Sequence, residues 1–467
     1  MSSLPNILWI YADELRADAL GCYAPDGIQR HTPHLDRLAA EGVRFDACYC
    51  NAPVCVPSRT ASLTGLYPEE TGVYHNEACW RNYRMADPPV TLPVWLAQHG
   101  YETVNLGKVH TPRDLPVWSR SDERGAGMNE FYAHVESESL SGVRPPGLPL
   151  HLGAAYPKGL SYPPEQITER GLAYLRQVRG PFLLRLSYLQ PHTPVLPPHP
   201  YAELYEPASF DGSVRPNPEA SAFERRFVEV LESSAMATEA VQRAQAYYHG
   251  LVSWLDAQVG RVLDELALLD LERDTIVLFE SDHGTSLGDG GRFQKQTFAY
   301  EVHRVPRLAR WAGQLAQGQV RSDICEGVDI PRTLCHLLGL APHAGFGGRA
   351  LFRDPEPAAV YGTIGYGLPD SRAFPNLGIG DDQGRGWPRR ACLRTARFRL
   401  DKSVRRDGQP LGDVAQDPFL VDRALDPHET QNRASDPAYV GVLAELDAQL
   451  DAHIRDSVEP SAAYTLP

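Results

Sequence analysis

The chain has 467 residues, 42% apolar and 22% charged, an ordinary globular composition with enough apolar material for a large core. Its formal net charge of -14 argues against nucleic acid or an anionic membrane as partner, since either needs a basic surface. A small anion stays compatible, because a pocket can be locally basic.

The first apolar run, Ile7 to Ala12, comes too early, is too short and lacks the basic flank of a secretory signal. No stretch is long enough to span a bilayer, so a cytoplasmic protein is expected. The cysteines, Cys22, Cys48, Cys50, Cys55, Cys79, Cys325, Cys335 and Cys392, show no zinc-type C-x-x-C pairing and are expected mostly as buried thiols.

In chain order, Asn6 to Ala12 reads as a strand buried on both faces. Thr32 and Pro33 suit an N-cap and first helical residue, Gly42 a stop, and Leu35, Leu38 and Ala39 between them share one face. Val43 to Tyr49 reads as a strand, Thr91 to His99 as a short helix ended by Gly100, Thr103 to Leu106 as a strand, and Phe182 to Leu189 as a strand closed by Pro191. From Val241 to Leu268, apolar residues recur every three or four positions, predicting a long helix with one core face, and the strand Thr275 to Glu280 follows. Alternating strands and helices predict an α/β domain over residues 1–350, with a large, mainly parallel central sheet covered by helices on both faces. Beyond it, residues 351–467 read as a smaller α+β subdomain. Its elements are strands at Ala391 to Leu400 and Asp417 to Leu425, a helix from Tyr439 to Ile454, and a disordered or partner-binding tail from Ser457 to Pro467.

Polar residues cluster at four strand ends: Asp13-Glu14, Lys108 with His110, His192, and Ser281-Asp282-His283-Gly284. One aspartate at a strand end is by itself a turn or cap residue. If the strands are parallel neighbours, however, all these groups share one cleft beyond the carboxyl edge of the sheet, and the two acidic pairs suit a hard divalent cation. Cys55-Val56-Pro57-Ser58-Arg59 opens a helix, which places Cys55 where free N–H groups favour negative charge and Arg59 one turn further on the same face.

Cys55-Val56-Pro57-Ser58-Arg59 followed by Leu63-Thr64-Gly65 resembles the sulfatase signature C-x-P-S-R…L-T-G. Thr32-Pro33-His34-Leu35-Asp36-Arg37-Leu38-Ala39, Gly107-Lys108-Val109-His110, Pro191-His192-Thr193-Pro194, Ser281-Asp282-His283-Gly284 and Leu425-Asp426-Pro427-His428-Glu429 resemble further motifs of that family, in family order. The chain thus resembles formylglycine-dependent sulfatases of the alkaline-phosphatase superfamily. The resemblance implies hydrolysis of a small anionic sulfate ester to an alcohol and sulfate. It implies a nucleophile made by oxidising Cys55 to formylglycine, with a formylglycine-generating enzyme as maturation partner. It also implies one divalent metal, calcium first and manganese or zinc as alternatives, held by Asp13, Glu14, Asp282, His283 and residue 55. Arg59 matches the residue that holds the aldehyde hydrate, Lys108 and Lys295 the cations on the sulfate oxygens, His110 a partner of the nucleophile, and His192 a group near the leaving oxygen. In that scheme one hydroxyl of the hydrate attacks sulfur and the other releases sulfate as the aldehyde re-forms. Neither nucleic acid nor membrane is implied, and a homo-oligomer is left open.

Three positions depart from the family pattern. Glu14 stands where many members have Asp, His283 where many have Asn, and Val109 where the motif has Trp. The longer Glu14 ligates differently or points away, the His283 nitrogen makes the site less purely calcium-like, and Val109 changes pocket shape. The alternative reading is a phosphonate monoester or phosphodiester hydrolase using the same site, from which Ser58 in the intact signature leans away. Trp80, Arg81, Tyr83 and Arg84 are candidate pocket residues with a surface loop as the plainer reading, and His249 reads as a packed histidine.

Overall fold

The computed structural model describes residues 4–25, 29–79, 84–126, 142–147, 152–365, 387–406, 409–412, 416–459 and 464–465. Eight strands form the main sheet: β1 (Asn6–Asp13), β2 (Val43–Phe45), β3 (Glu102–Gly107), β4 (Arg120–Asp122), β5 (Phe182–Pro191), β6 (Thr275–Ser281), β7 (Arg307–Arg310) and β8 (Gln319–Arg321). Their order is β8-β2-β7-β6-β1-β5-β3-β4. The four strands expected from the continuous apolar runs are the four consecutive central ones, β6, β1, β5 and β3, all mutually parallel. Every residue of β1, β5 and β6 is buried, which is why these stretches read as unbroken rather than alternating apolar runs.

One face of the sheet packs against α1 (Pro33–Ala40), α4 (Glu165–Gln177) and α5 (Thr238–Leu268), the other against α2 (Cys55–Thr64), α3 (Leu92–Gln98) and α6 (Ile330–Leu337). Alternate residues of β1 divide between the two layers: Leu8 and Ile10 join the first, Ile7 and Trp9 the second. Among the described residues no helix is long and apolar enough to cross a membrane.

Three expectations need correction. The segment Val43 to Tyr49 is not one strand. A turn at Asp46, whose carboxylate takes Arg44 Nε at 2.7 Å, ends β2, and Cys48–Tyr49 pairs instead with Cys325–Glu326 in a separate two-stranded ladder. Ala391 to Leu400 is a hairpin, β10 (Arg389–Arg394) and β11 (Phe398–Arg406), because Thr395 Oγ1 accepts the amides of Arg397 and Phe398 and closes the turn. These strands belong to an antiparallel sheet with β9 (Val360–Ile364), β12 (Gln409–Pro410) and β13 (Phe419–Asp422), backed by α7 (Val440–Ile454). The tail is also anchored. The Val458 amide donates to Glu69 O at 2.7 Å, Glu459 pairs with Arg389 at 2.8 Å and Arg405 at 3.3 Å, and Tyr464–Thr465 pairs with Arg84–Met85.

Glu429 of the late acidic motif joins the smaller sheet to the larger unit. Its carboxylate takes Arg394 at 3.0 Å, Arg399 at 2.6 Å and Arg423 at 3.3 Å, while Arg394 also donates to Phe298 O at 2.6 Å and His303 Nδ1 at 2.9 Å. Removing one member of a buried network leaves the others charged and unpaired, so Glu429→Ala should cost about 3–5 kcal/mol of stability, read by urea unfolding. A loss below about 1 kcal/mol would show that the network does not carry the junction.

Candidate active site

α2 is buried along its whole length, including Ser58, Arg59, Thr60, Ser62 and Thr64. Three of its hydroxyls turn back onto the helix, Thr60 Oγ1 to Val56 O at 2.7 Å, Ser62 Oγ to Ser58 O at 3.0 Å and Thr64 Oγ1 to Thr60 O at 2.8 Å. Val54 offers no side-chain cap. Asn76 supplies one from a distant loop, its Oδ1 accepting the Val56 amide at 2.9 Å. The helix stops at Gly65, whose φ of 67° suits a residue without a Cβ.

The register of β1 with β6, Ala12 opposite Ser281, sets Asp13 and Asp282 side by side where the strands end. Both carboxylates are fully buried, and Arg59 lies between them, 2.8 Å from Asp13 Oδ2 and 2.8 Å from Asp282 Oδ2. Arg59 also donates to Ser187 Oγ at 3.0 Å and sits 4.8 Å from the Tyr11 ring centroid. Ser58 Oγ donates to Asp282 O at 2.6 Å, fixing the helix to the end of β6.

Residue 55 is the meeting point. Its Sγ lies 3.2 Å from Lys295 Nζ, 3.3 Å from His283 Nε2, 3.6 Å from Asp13 Oδ1 and 3.8 Å from Lys108 Nζ. Lys108 Nζ is also 2.6 Å from Asp13 Oδ2, and Lys295 Nζ is 2.8 Å from His192 Nε2. His110, whose backbone has φ 48°, lies close enough to Cys55 for each to act on the other's ionisation.

The electrostatics follow from this crowding. Burial pushes the Cys55 thiol up, but Lys108, Lys295 and His283 outweigh it and hold it well below the usual range. Asp13 is likewise held low by Lys108, His192 and Arg59, against burial and Cys55. Asp282 is raised to about 6 by burial and by the facing Asp13. Against burial, Asp282 and Cys55 hold His283 up at about 9, while burial and Lys108 push His110 down to about 4. Two buried carboxylates side by side with the His283 imidazole are donors of the kind a divalent cation takes.

Among the described residues, Asp13, Cys55, Asp282 and His283 form the one group able to hold a metal ion, their ligand atoms all within 4.8 Å of one another. Glu14 is not in it. The extra methylene carries its carboxylate to Lys295 Nζ at 2.9 Å and the Thr193 amide at 3.2 Å. Arg59 from α2, Lys108, His110 and His192 from the ends of parallel strands, and Lys295 from just after the short ladder of Phe293–Gln294 with Ser286–Leu287 all lie around residue 55. Trp80, Arg81 and Tyr83 fall outside the described residues, and Arg84 is exposed. Val109 lines a cleft of about 610 Å³ together with Lys108, His110 and Arg113. His249 is packed, stacked on Phe210 with ring centroids 5.1 Å apart. Sequence reasoning missed Asn76 as the cap and His75, which lies close enough to Cys55 and Lys295 for both to act on its ionisation. A polar pair just after a buried helix was the signal available for both.

A family model described as Sulfatase matches residues 5–340. Human iduronate 2-sulfatase is 30% identical over 336 residues, 67% of this chain and 60% of that protein, so the matched stretch spans less than two thirds of that relative. An ulvan-active sulfatase of Formosa agariphila is 29% identical over 468 residues, covering 97% of this chain and 81% of that protein. Among solved structures, the phosphonate monoester hydrolase of Agrobacterium radiobacter superposes with a TM-score of 0.73 at 24% identity, covering 96% of each chain.

Because Asn76 holds the first turn of α2 from outside the helix, Asn76→Ala should lower stability by about 1 kcal/mol, measured by thermal or urea unfolding. Asn76→Asp, which keeps the acceptor, should lose less; equal losses would mean the cap is not the cause.

Proposed function

The chain belongs to the sulfatase family, and from that premise we propose that it hydrolyses a sulfate monoester to an alcohol and inorganic sulfate, at residue 55 once Cys55 has become formylglycine. One observation carries the reading. The side chain of residue 55 touches the buried carboxylate and imidazole group on one side and the ammonium groups of Lys108 and Lys295 on the other. A nucleophile for an anionic ester needs both, because its own activation and the charge of its substrate must be met at the same atom.

The donor set fits one divalent ion. Asp13, Asp282, His283 and the oxygen that replaces sulfur at residue 55 would hold it. The two carboxylates favour calcium, and the imidazole is the donor that manganese or zinc would use. Such an ion supplies positive charge that orients residue 55 and lowers the energy of sulfate oxygens facing it. The formylglycine hydrate supplies a nucleophile that can release sulfate by re-forming its aldehyde, which serine or cysteine cannot do.

The chain's own residues do the rest. Lys108 and Lys295 bind the anionic oxygens and offset charge that builds up on them. Arg59, saturated by Asp13, Asp282 and Ser187, keeps the two carboxylates apart and in place. His110, beside residue 55 and held mostly neutral by burial and Lys108, is the candidate to take a proton from it. Lys295 and His192, 2.8 Å apart beside residue 55, are the groups that would supply a proton to the departing oxygen. Cys55 is fully buried in the folded chain, so its oxidation by a formylglycine-generating enzyme has to precede folding.

Active protein should carry an aldehyde at residue 55, seen as a lighter tryptic peptide with sulfur replaced by oxygen, and Cys55→Ala should abolish turnover while the protein stays folded. Full turnover by that variant would remove the mechanism. Aryl sulfates should be hydrolysed faster than aryl phosphonate monoesters; the reverse order would make the chain a phosphonate hydrolase on the same site. Lys108→Ala and Lys295→Ala should each cost about 3 kcal/mol of transition-state stabilisation. Chelation should remove activity while circular dichroism changes little.

A further inference from the structure

The cleft of about 610 Å³ beside Lys108 and His110 is built from two kinds of wall. Leu115 and Ala126 are buried and Val117 half-buried, which makes one side apolar. Leu115 packs in one cluster with Val56, the neighbour of residue 55. The other side carries Arg113 and Glu123. An exposed arginine by itself means little, since water solvates it well. Arg113 is exposed but fixed. Asp114 Oδ2 accepts the Met85 amide at 2.8 Å, the Leu115 amide closes a turn on Pro112 O at 3.2 Å, and Thr91 Oγ1 donates to Pro116 O at 2.7 Å, so the backbone on either side is anchored. Arg113 Nε donates to Cys79 O at 3.0 Å, which sets the direction of the guanidinium. Among the described residues Arg113 makes no ion pair. Glu123, the one carboxylate on the cleft wall, accepts the Val109 amide at 2.8 Å instead. Lys108, at the end of the cleft nearest residue 55, already faces Asp13 at 2.6 Å.

We propose that Arg113 is a specificity-determining residue, which binds a second anionic group, a carboxylate or a further sulfate, on the alcohol part of the ester. The identity of the reacting group rests on the sulfate-ester reading; the second anion does not. With Nε engaged by Cys79 O, the guanidinium presents Nη1 and Nη2 side by side, and two oxygens of a carboxylate or a sulfate accept that pair together. Lys108 Nζ is 3.8 Å from the side chain of residue 55, so the group attached to a sulfur held there has this cleft beside it. The apolar wall of Leu115 and Val117 takes the carbon framework between the two charges. Arg113 is open to water, so its contact with an anion is partly screened and the preference it gives is moderate. The contact is the same before and during the transfer of sulfur, which places its effect in KM and not in kcat.

The test uses the full-length, formylglycine-carrying enzyme and two variants, Arg113→Gln and Arg113→Lys. Rates are measured on 3- and 4-carboxyphenyl sulfate, on the matching carbamoylphenyl sulfates, which keep the shape without the charge, and on the 1,3- and 1,4-phenylene disulfates. The parent should favour at least one anionic ester over its carbamoyl counterpart by about tenfold in kcat/KM, chiefly through KM. Arg113→Gln should bring that ratio close to one, and Arg113→Lys should keep part of it. Whether the carboxylate or the disulfate is favoured names the anion that Arg113 reads. The proposal is overturned if the parent shows no such preference, if the preference survives in Arg113→Gln, or if the loss in that variant falls equally on charged and uncharged esters. Calorimetry on the 3- and 4-hydroxybenzoates and the matching hydroxybenzamides makes the test independent of the reaction. A hydroxybenzoate should bind the parent more tightly than its amide and lose that advantage in Arg113→Gln. If this difference stands while no sulfate ester is turned over, the sulfate reading fails and the role of Arg113 holds; equal binding of acid and amide by the parent overturns the role of Arg113 whichever ester reacts.

Discussion

Asp13 and Asp282 end adjacent parallel strands and lie fully buried beside each other, so the fold must bring positive charge to them from elsewhere in the chain. Arg59 does this from α2, with one nitrogen on each carboxylate. An arginine suits the place because its planar fork reaches two acceptors at fixed separation, which a lysine cannot. The consequence spreads outward. α2 has to enter the sheet edge with Arg59 inward, which sets Cys55 at the same edge one turn earlier. Ser58 then fixes the helix to the end of β6 through the Asp282 carbonyl. The position of residue 55 is therefore a by-product of how two buried acids are neutralised.

The same crowding gives an acidic protein a site whose charges are set locally. The net charge of -14 is spread over the molecule, while around residue 55 Lys108, Lys295 and Arg59 stand among Asp13, Glu14 and Asp282. Buried charges interact strongly because little water screens them, so these local pairings and not the overall charge govern the site. Asp13 stays ionised there and the Cys55 thiol is pulled down, although burial alone would raise both.

Among the described residues, the smaller sheet is tied to the larger unit through buried arginines. Its buried arginines, Arg394 and Arg399, converge on Glu429, and Arg394 reaches across to Phe298 and His303. His303 accepts from it on Nδ1 and donates to Cys50 O at 2.8 Å, in the segment that leads into α2. A late sequence motif is in this way connected to the entry of the helix that carries residue 55.

Much of this was legible in the sequence for a definite reason. Strands buried on both faces leave unbroken apolar runs, and the polar residues that end them stand out, so β1, β3, β5 and β6 and the groups at their ends could be read directly. The C-x-P-S-R segment announced a helix with Cys55 at its start. Short strands such as β7, and the splitting of Val43 to Tyr49, were not legible, because pairing partners hundreds of residues away decide them. The tail was misread for the same reason: Glu459 looks solvent-loving until Arg389 and Arg405 are placed beside it. Sequence alone determined which chemical groups stand at the carboxyl edge of the sheet, since strand ends and residue types are local properties. Only the tertiary structure decided which of them touch, and it sent Glu14 to Lys295 while keeping Asp13 with residue 55. One methylene and a left-handed backbone turn choose between those partners, and that choice depends on where Tyr248, Thr193 and Lys295 come to rest in space.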